Sequence, residues 1–204
     1  MREILPRVYQ MGSRLFVPEQ RLAYYLVRKF GNYLIYLAPS VEQHFEDLKR
    51  GGGVARVFLN NWAQVSPGIE RIFKVFGATV VLPQPISERT PAAFPWECPM
   101  EARGLYSGLE VYGGRAFLPG ECWYLLHLDE KKLLFCGDSL FLDDGHWRLD
   151  RKLRWEERKA ILQILEEQDF DYLLPSRARG LISFQRMEEG IQEIEMRHLT
   201  PDRA

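Results

Sequence analysis

The sequence predicts an α/β sandwich of the αββα type: two mixed β-sheets back to back, with helices on the outer faces. Three observations carry this. The first forty residues read as a β-meander. Residues 54–82 then run strand, polar turn, helix, strand, the order of a βαβ unit. The second half repeats the order of strands followed by a helix. A chain of 204 residues suits a single domain spanning its whole length and is long enough to bury a sizeable core.

The elements follow from local chemistry. Residues 7–10 are short and extended, and residues 21–28 are rich in aromatic and branched side chains. Gly31-Asn32 predicts a two-residue hairpin turn into a strand over 33–37. Pro39 ends that strand, and Ser40 is placed to cap a helix over 41–50 that Gly51-Gly52-Gly53 closes. Residues 54–59 form an apolar run of the kind buried within a sheet. Ser66-Pro67 is an N-cap followed by Pro at the first helical position. Ile69, Ile72, Phe73 and Phe76 then recur at helical spacing, Gly77 stops the helix, and residues 78–82 return as a strand. Residues 83–104 hold five of the twelve prolines and read as irregular connection. Strands are expected over 108–112, 115–118, 122–128, 132–136, 139–142 and 171–174. Helices are expected over 155–168 and 184–199, the latter with Met187, Ile191 and Ile194 on one side.

Composition narrows the function classes. Twenty-seven basic and twenty-eight acidic residues leave a net charge of −1, so overall charge gives no reason to expect nucleic acid or an anionic membrane as partner. Net charge says nothing about local distribution. The start, MREILPRVYQMGSRLF, places acid and proline where a signal peptide needs an apolar core, and no apolar run is long enough to span a bilayer. Three cysteines without CxxC spacing suggest reduced thiols and a cytoplasmic protein rather than a disulfide framework or closed zinc site. No Gly-x-Ser-x-Gly elbow and no phosphate-cradling Gly motif is present.

Three segments, in order, carry a resemblance: VFLNNWAQVSPGIERIFKVFGATVV, FLPGECWYLLHLDEKKLLFCGDSLF and DYLLPSRARG. With the opening hairpin AYYLVRKFGNYLIYL, they resemble the metallo-β-lactamase superfamily over roughly Val8 to Gly180. In that superfamily the first segment carries His-x-His-x-Asp-His, the second Pro-Gly-His and Gly-Asp-x-Leu-Phe, and the third Pro-Gly-His-Gly. Matched residue by residue, the ligand positions fall on Asn61, Ala63, Val65, Ser66, Glu121, Asp138 and Arg177. Only Asp138 keeps a typical ligand. Residues 60–66 contain no histidine or acid at all, so a small shift of register does not restore the motif.

The resemblance implies the fold, but these residues argue against its zinc chemistry. Zinc in such sites is held by imidazoles and carboxylates at about 2.0–2.2 Å, and lowers the pKa of a bound water to about 7. Ala63 and Val65 offer no donor, and Asn61 and Ser66 are poor neutral ones. Glu121 and Asp138 alone form a weak carboxylate pair, better suited to a loosely held hard cation. No zinc or other cofactor is therefore expected. The candidate pocket is Asn61, Ser66, Glu121, Asp138 and Arg177, with no catalytic residue assigned.

Several roles stay open at this point. Asp138 either caps a turn through backbone N–H groups or meets Arg177, whose planar fork suits Asp138 or Glu121. Arg177 and Arg179 are either solvated loop charges or a site for an anionic ligand. Cys122 beside Glu121 reads as a buried inert thiol, and His127 as a hydrogen-bonded sheet histidine. His44 is expected on a polar helix face, His146 in a turn, and His198 near the end, none placed as a ligand. Asp143-Asp144 reads as a solvated turn. Most of the five tryptophans are expected in the core, with an exposed Trp62–Trp96 surface as the alternative.

The function expected is that of a degenerate, non-catalytic member of this fold, a binding or scaffolding protein for a small molecule or a protein partner, with a homodimer as a further form. The alternative is a hydrolase with a remodelled single-metal or metal-free site.

Overall fold

The computed structural model describes residues 1–12, 19–39, 41–61, 64–83, 96–97, 103–106, 108–113, 120–179 and 185–186. The chain divides into two compact units, Met1–Ala102 and Arg103–Ala204. Both are mixed α/β.

In the first unit the strands are β1 (Arg2–Leu5), β2 (Val8–Met11), β3 (Gln20–Arg21), β4 (Ala23–Leu26), β5 (Tyr33–Ile35), β6 (Arg56–Phe58), β7 (Thr79–Val81) and β8 (Trp96–Glu97). A seven-stranded sheet has the order β1-β2-β4-β5-β6-β7-β8. It is antiparallel through β5 and parallel from β5 to β8. The parallel half follows from the helices between its strands, since parallel neighbours need a crossover. A 3-10 turn (Val41–His44) runs into α1 (Phe45–Arg50), and α2 (Pro67–Phe76) lies between β6 and β7. Leu48 of α1 and Ile69 and Ile72 of α2 join Leu34, Val57 and Val80 in one buried cluster. Each such fully buried aliphatic side chain contributes about 1.5–3 kcal/mol.

The expected turn at Gly31-Asn32 is wider than two residues, because β4 ends at Leu26 and β5 begins at Tyr33. The physical reason is Asn32. It is buried, its Oδ1 accepts the Arg28 N–H at 2.9 Å, and its Nδ2 reaches the Gly51 carbonyl at 2.8 Å and the Tyr25 hydroxyl at 2.7 Å. Asn32 therefore ties the hairpin to the glycine run after α1 instead of facing solvent. A Cβ on Gly51 would lie 2.7 Å from the Tyr25 hydroxyl, so close approach explains that glycine. Helix α2 begins as expected, with Ser66 extended and Pro67 in the first turn, although the Ser66 side chain makes no capping bond. It ends at Gly77 in the left-handed region (φ 67°), whose N–H bonds the Phe73 carbonyl at 2.7 Å.

The second unit contains β9 (Arg103–Tyr106), β10 (Leu109–Gly113), β11 (Cys122–Leu128), β12 (Lys131–Phe135), β13 (Leu140–Asp143), β14 (His146–Leu149), α3 (Trp155–Glu167), β15 (Tyr172–Leu174), β16 (Arg177–Arg179) and β17 (Gln185–Arg186). One sheet has the order β17-β15-β12-β11-β10-β9. In a second, β13 pairs β14 antiparallel and β16 parallel. Strand β11, paired on both sides, is buried from Cys122 through Leu126. The amphipathic face of α3 buries Ile161, Leu162 and Leu165.

Several expectations are corrected here. Strands β1, β14 and β16 stand where none was expected, and β8 and β9 lie partly in the proline-rich stretch read as irregular. Each is two to four residues long, and such short pieces are specified by ladder partners rather than by their own pattern. Residues 185–186 are strand, paired with β15, where a helix was expected. The remainder of the expected closing helix, the strand over 115–118, Ser40, Trp62 and Cys98 lie outside the described residues. His44 is buried, with Nδ1 3.3 Å from the Met1 amine, rather than on a polar face.

Candidate functional site

The second unit brings its candidate residues together where two parallel strands end. Strands β12 and β15 run side by side. Beyond them the Cys136 N–H bonds the Leu174 carbonyl at 3.1 Å, and the Ser176 N–H bonds the Gly137 carbonyl at 3.4 Å. The loops carrying Asp138 and Ser176 are thus fastened to each other. Glu121 immediately precedes β11, which is antiparallel to β12, so it enters from the same end.

Glu121 is 3 % exposed, and its carboxyl is directed inward. Oε1 accepts from the Trp123 indole at 3.0 Å and from the Ser139 N–H at 3.0 Å; Oε2 accepts from the Asp138 N–H at 3.2 Å. Glu121 thus caps the turn at Asp138 and Ser139, satisfying both of their N–H groups. The Asp138 carboxylate, 9 % exposed, accepts the Ser176 hydroxyl proton.

Burial pushes the Glu121 carboxyl up to about 8, and the neighbouring Asp138 carboxylate pushes in the same direction; hydrogen bonds from Ser139 and Trp123 pull against both. Desolvation disfavours the charged form, and two carboxylates this close resist holding two charges. The environment therefore favours the pair retaining a proton toward neutral pH. Beside them the Cys136 thiol is pushed well above its usual range, by burial first and then by the Glu121 carboxyl. Its Sγ lies 3.4 Å from the Leu140 carbonyl. A thiol held protonated in this way is a poor nucleophile. Cys122 is likewise buried and free of disulfide.

Arg177 lies against the loop that carries Asp138. The structure gives it a third carboxylate, Asp150, as ion-pair partner, and a 3.0 Å hydrogen bond to the main-chain carbonyl of Asp138. Its guanidinium also lies 4.0 Å above the Phe141 ring. Asp150 is distant in sequence and comes close only because β14 folds back on β13, which β16 joins. Arg179 sits 3.9 Å from Asp143.

Asn61 and Ser66 belong to the first unit, on the turn after β6. Asn61 is buried and its carbonyl faces the Gln64 N–H at 3.4 Å; Ser66 is exposed. His127 pairs with Glu110 at 2.9 Å on an exposed part of its sheet. Reading the sequence missed Trp123, Cys136, Asp150 and Ser176. Only Ser176, next to Arg177 after a strand, carried a local signal.

As a donor set, these residues do not fit the zinc ions of the fold. Among the described residues no group of three His, Cys, Asp or Glu side chains stands close enough to hold a metal ion. Both Glu121 oxygens are already turned to N–H groups. No described helix is long and apolar enough to cross a membrane.

No protein-family model matches this chain, and no curated protein does. Solved structures do. A metallo-β-lactamase from Staphylococcus aureus aligns with a TM-score of 0.65 at 14 % identity, over 92 % of this chain and 62 % of that one. A HARLDQ-motif mutant of a metallo-β-lactamase from Cronobacter sakazakii gives 0.58 at 18 %, over 86 % and 79 %. ETHE1 from Myxococcus xanthus gives 0.58 at 16 %, over 92 % and 82 %. Each of these likenesses spans both mixed α/β units and supports the same architecture. The chain has the metallo-β-lactamase fold.

Proposed function

We propose that this chain is a non-catalytic protein of the metallo-β-lactamase fold, without a dinuclear zinc site, whose role is binding or scaffolding. One observation carries the reading. Glu121 stands at a position where the resemblance places a metal ligand, and it is used as an internal cap for Asp138 and Ser139. A group engaged in this way holds the fold together, and to coordinate a metal it must abandon three donors. Each donor left unsatisfied costs about 1–3 kcal/mol.

A second reading is favoured by the upward push on the Glu121 carboxyl from burial and from Asp138 beside it. Paired carboxyls whose environments push them apart supply acid and base in hydrolases. On that reading the protein is a hydrolase with a remodelled single-metal or metal-free site.

Elemental analysis of protein purified without chelator, followed by hydrolysis assays with ester, thioester and β-lactam substrates, decides between them. The first reading expects metal far below one equivalent and no turnover. Near-stoichiometric zinc, iron or manganese overturns it, as does metal-independent turnover abolished by Glu121→Gln.

A further inference from the structure

Strands β13, β14 and β16 have two unlike faces. Leu140, Leu142, Trp147, Leu149 and Ala178 are buried on one. Side chains alternate along a strand, so Phe141, Arg148, Arg177 and Arg179 look the other way, and all four keep partial or full exposure. Phe141 stands opposite Arg148 in the ladder, with the Arg177 guanidinium over its ring. Strand β14 leads into a turn pinned by Asp150, whose Oδ1 accepts the Lys152 N–H at 2.8 Å and whose carbonyl accepts the Leu153 N–H at 3.2 Å. The turn buries Leu153 and leaves Arg151 and Lys152 exposed. Helix α3 then opens on Trp155, which is 50 % exposed.

The charge here is lopsided. From Arg148 to Lys159 the chain has six basic residues and three acids, Asp150, Glu156 and Glu157. Asp150 is engaged by Arg177, and Glu157 by Arg154. Among the described residues the side chains of Arg148, Arg151 and Lys152 have no hydrogen-bond or ion-pair partner. The whole-chain charge of −1 conceals this concentration.

We propose that this surface docks single-stranded nucleic acid, with Arg148, Arg151 and Lys152 on backbone phosphates and Trp155 stacked on a base. Guanidinium forks match phosphate oxygens, and phosphate neutralisation supplies most of the affinity for a nucleic-acid strand. A half-exposed indole three residues on from Lys152 offers a stacking platform for any base. An anionic bilayer is a poorer fit, because peripheral binding needs a set of apolar anchors. In this unit Trp155 is the one exposed large apolar side chain among the described residues. An acidic protein offers charge but not a base beside every phosphate for the indole to stack on. The proposal is independent of whether the Glu121–Asp138 centre is catalytic, which metal content and turnover read separately.

The test is fluorescence anisotropy of a labelled oligothymidylate of about 20 nucleotides, titrated with the full chain at several salt concentrations. The combined variant Arg148→Gln, Arg151→Gln, Lys152→Gln is expected to bind at least about tenfold more weakly. It should also flatten the slope of log K against log salt by about 2, at roughly 0.7 per phosphate on a single strand. Trp155→Ala is expected to weaken binding about tenfold with the slope unchanged, and Trp155→Phe to recover most of the loss. All four side chains are at least partly exposed, and circular dichroism confirms that the variants are folded. Four results overturn the proposal: no anisotropy change at low salt, equal binding by the triple variant, equal displacement of the oligonucleotide by polyglutamate, or binding to phosphatidylserine vesicles in place of the oligonucleotide.

Discussion

Glu121 shows how one side chain changes meaning when its surroundings are known. In the sequence it is an acid standing where a histidine is expected. In the structure its two oxygens gather the Trp123 indole and the N–H groups of Asp138 and Ser139. Its carboxyl titrates near 8 in the folded protein and near 4.3 in an unfolded chain. Between those values the folded state holds a proton that the unfolded state has released, so stability falls as pH rises across the window. Below it the stability is fully present; above it the loss is complete. Chemical denaturation from pH 5 to pH 8.5 is expected to show this decline, at no more than roughly 1.4 kcal/mol per pH unit. Glu121→Gln, which keeps one acceptor oxygen and removes the titration, is expected to flatten it. Glu121→Ala orphans three buried donors and is expected to cost about 3 kcal/mol or more at pH 6. A variant as stable as the parent contradicts the capping role. Asn32 behaves similarly: Asn32→Ala removes the tie between the hairpin and the glycine run and is expected to cost about 2 kcal/mol in the same assay.

At the scale of elements, helix α2 gives a matched pair of tests. Gly77 has φ 67°, and nothing lies within 4 Å of the place a Cβ would take, so Gly77→Ala meets no clash and suffers only the left-handed backbone. It is expected to lower stability by about 1 kcal/mol. Gly68 lies in the first turn, and a Cβ there has its nearest neighbour, Ser66 Oγ, at an ordinary 3.5 Å. Gly68→Ala is expected to raise stability by about 0.5–1 kcal/mol. Thermal melts of the two variants should move in opposite directions. This helix was legible because Pro67, the spacing of Ile69, Ile72 and Phe76, and Gly77 all lie within it or at its end. Strands β14 and β16 were not. His146 and Arg177 read as turn and loop residues because the ladder that makes them strand is supplied by β13. The same is true of Asn32, whose proper partner is a glycine run some twenty residues away.

For the whole molecule, the proposed reading without a zinc site predicts indifference to chelation. Incubation with a strong chelator is expected to leave the melting temperature unchanged, since a ligand stabilises only in proportion to its binding. A fall of several degrees, reversed by zinc, contradicts the non-metal reading. The architecture was legible because it rests on repeated local signals: apolar strands, a helix with both ends marked, and strands-then-helix order in each half. The absence of histidines between Asn60 and Ser66 was equally plain, since it needs no contacts to read. What became of Glu121, Asp138 and Arg177 was not legible. Their partners, Trp123, Ser139, Ser176 and Asp150, are brought to them by β11, β12, β14 and β16 pairing across the chain. The sequence by itself determined which ligand chemistries were missing, because side-chain identity suffices for that. Only the tertiary structure decided what the remaining charges do, because burial and hydrogen-bond partners are properties of the folded chain.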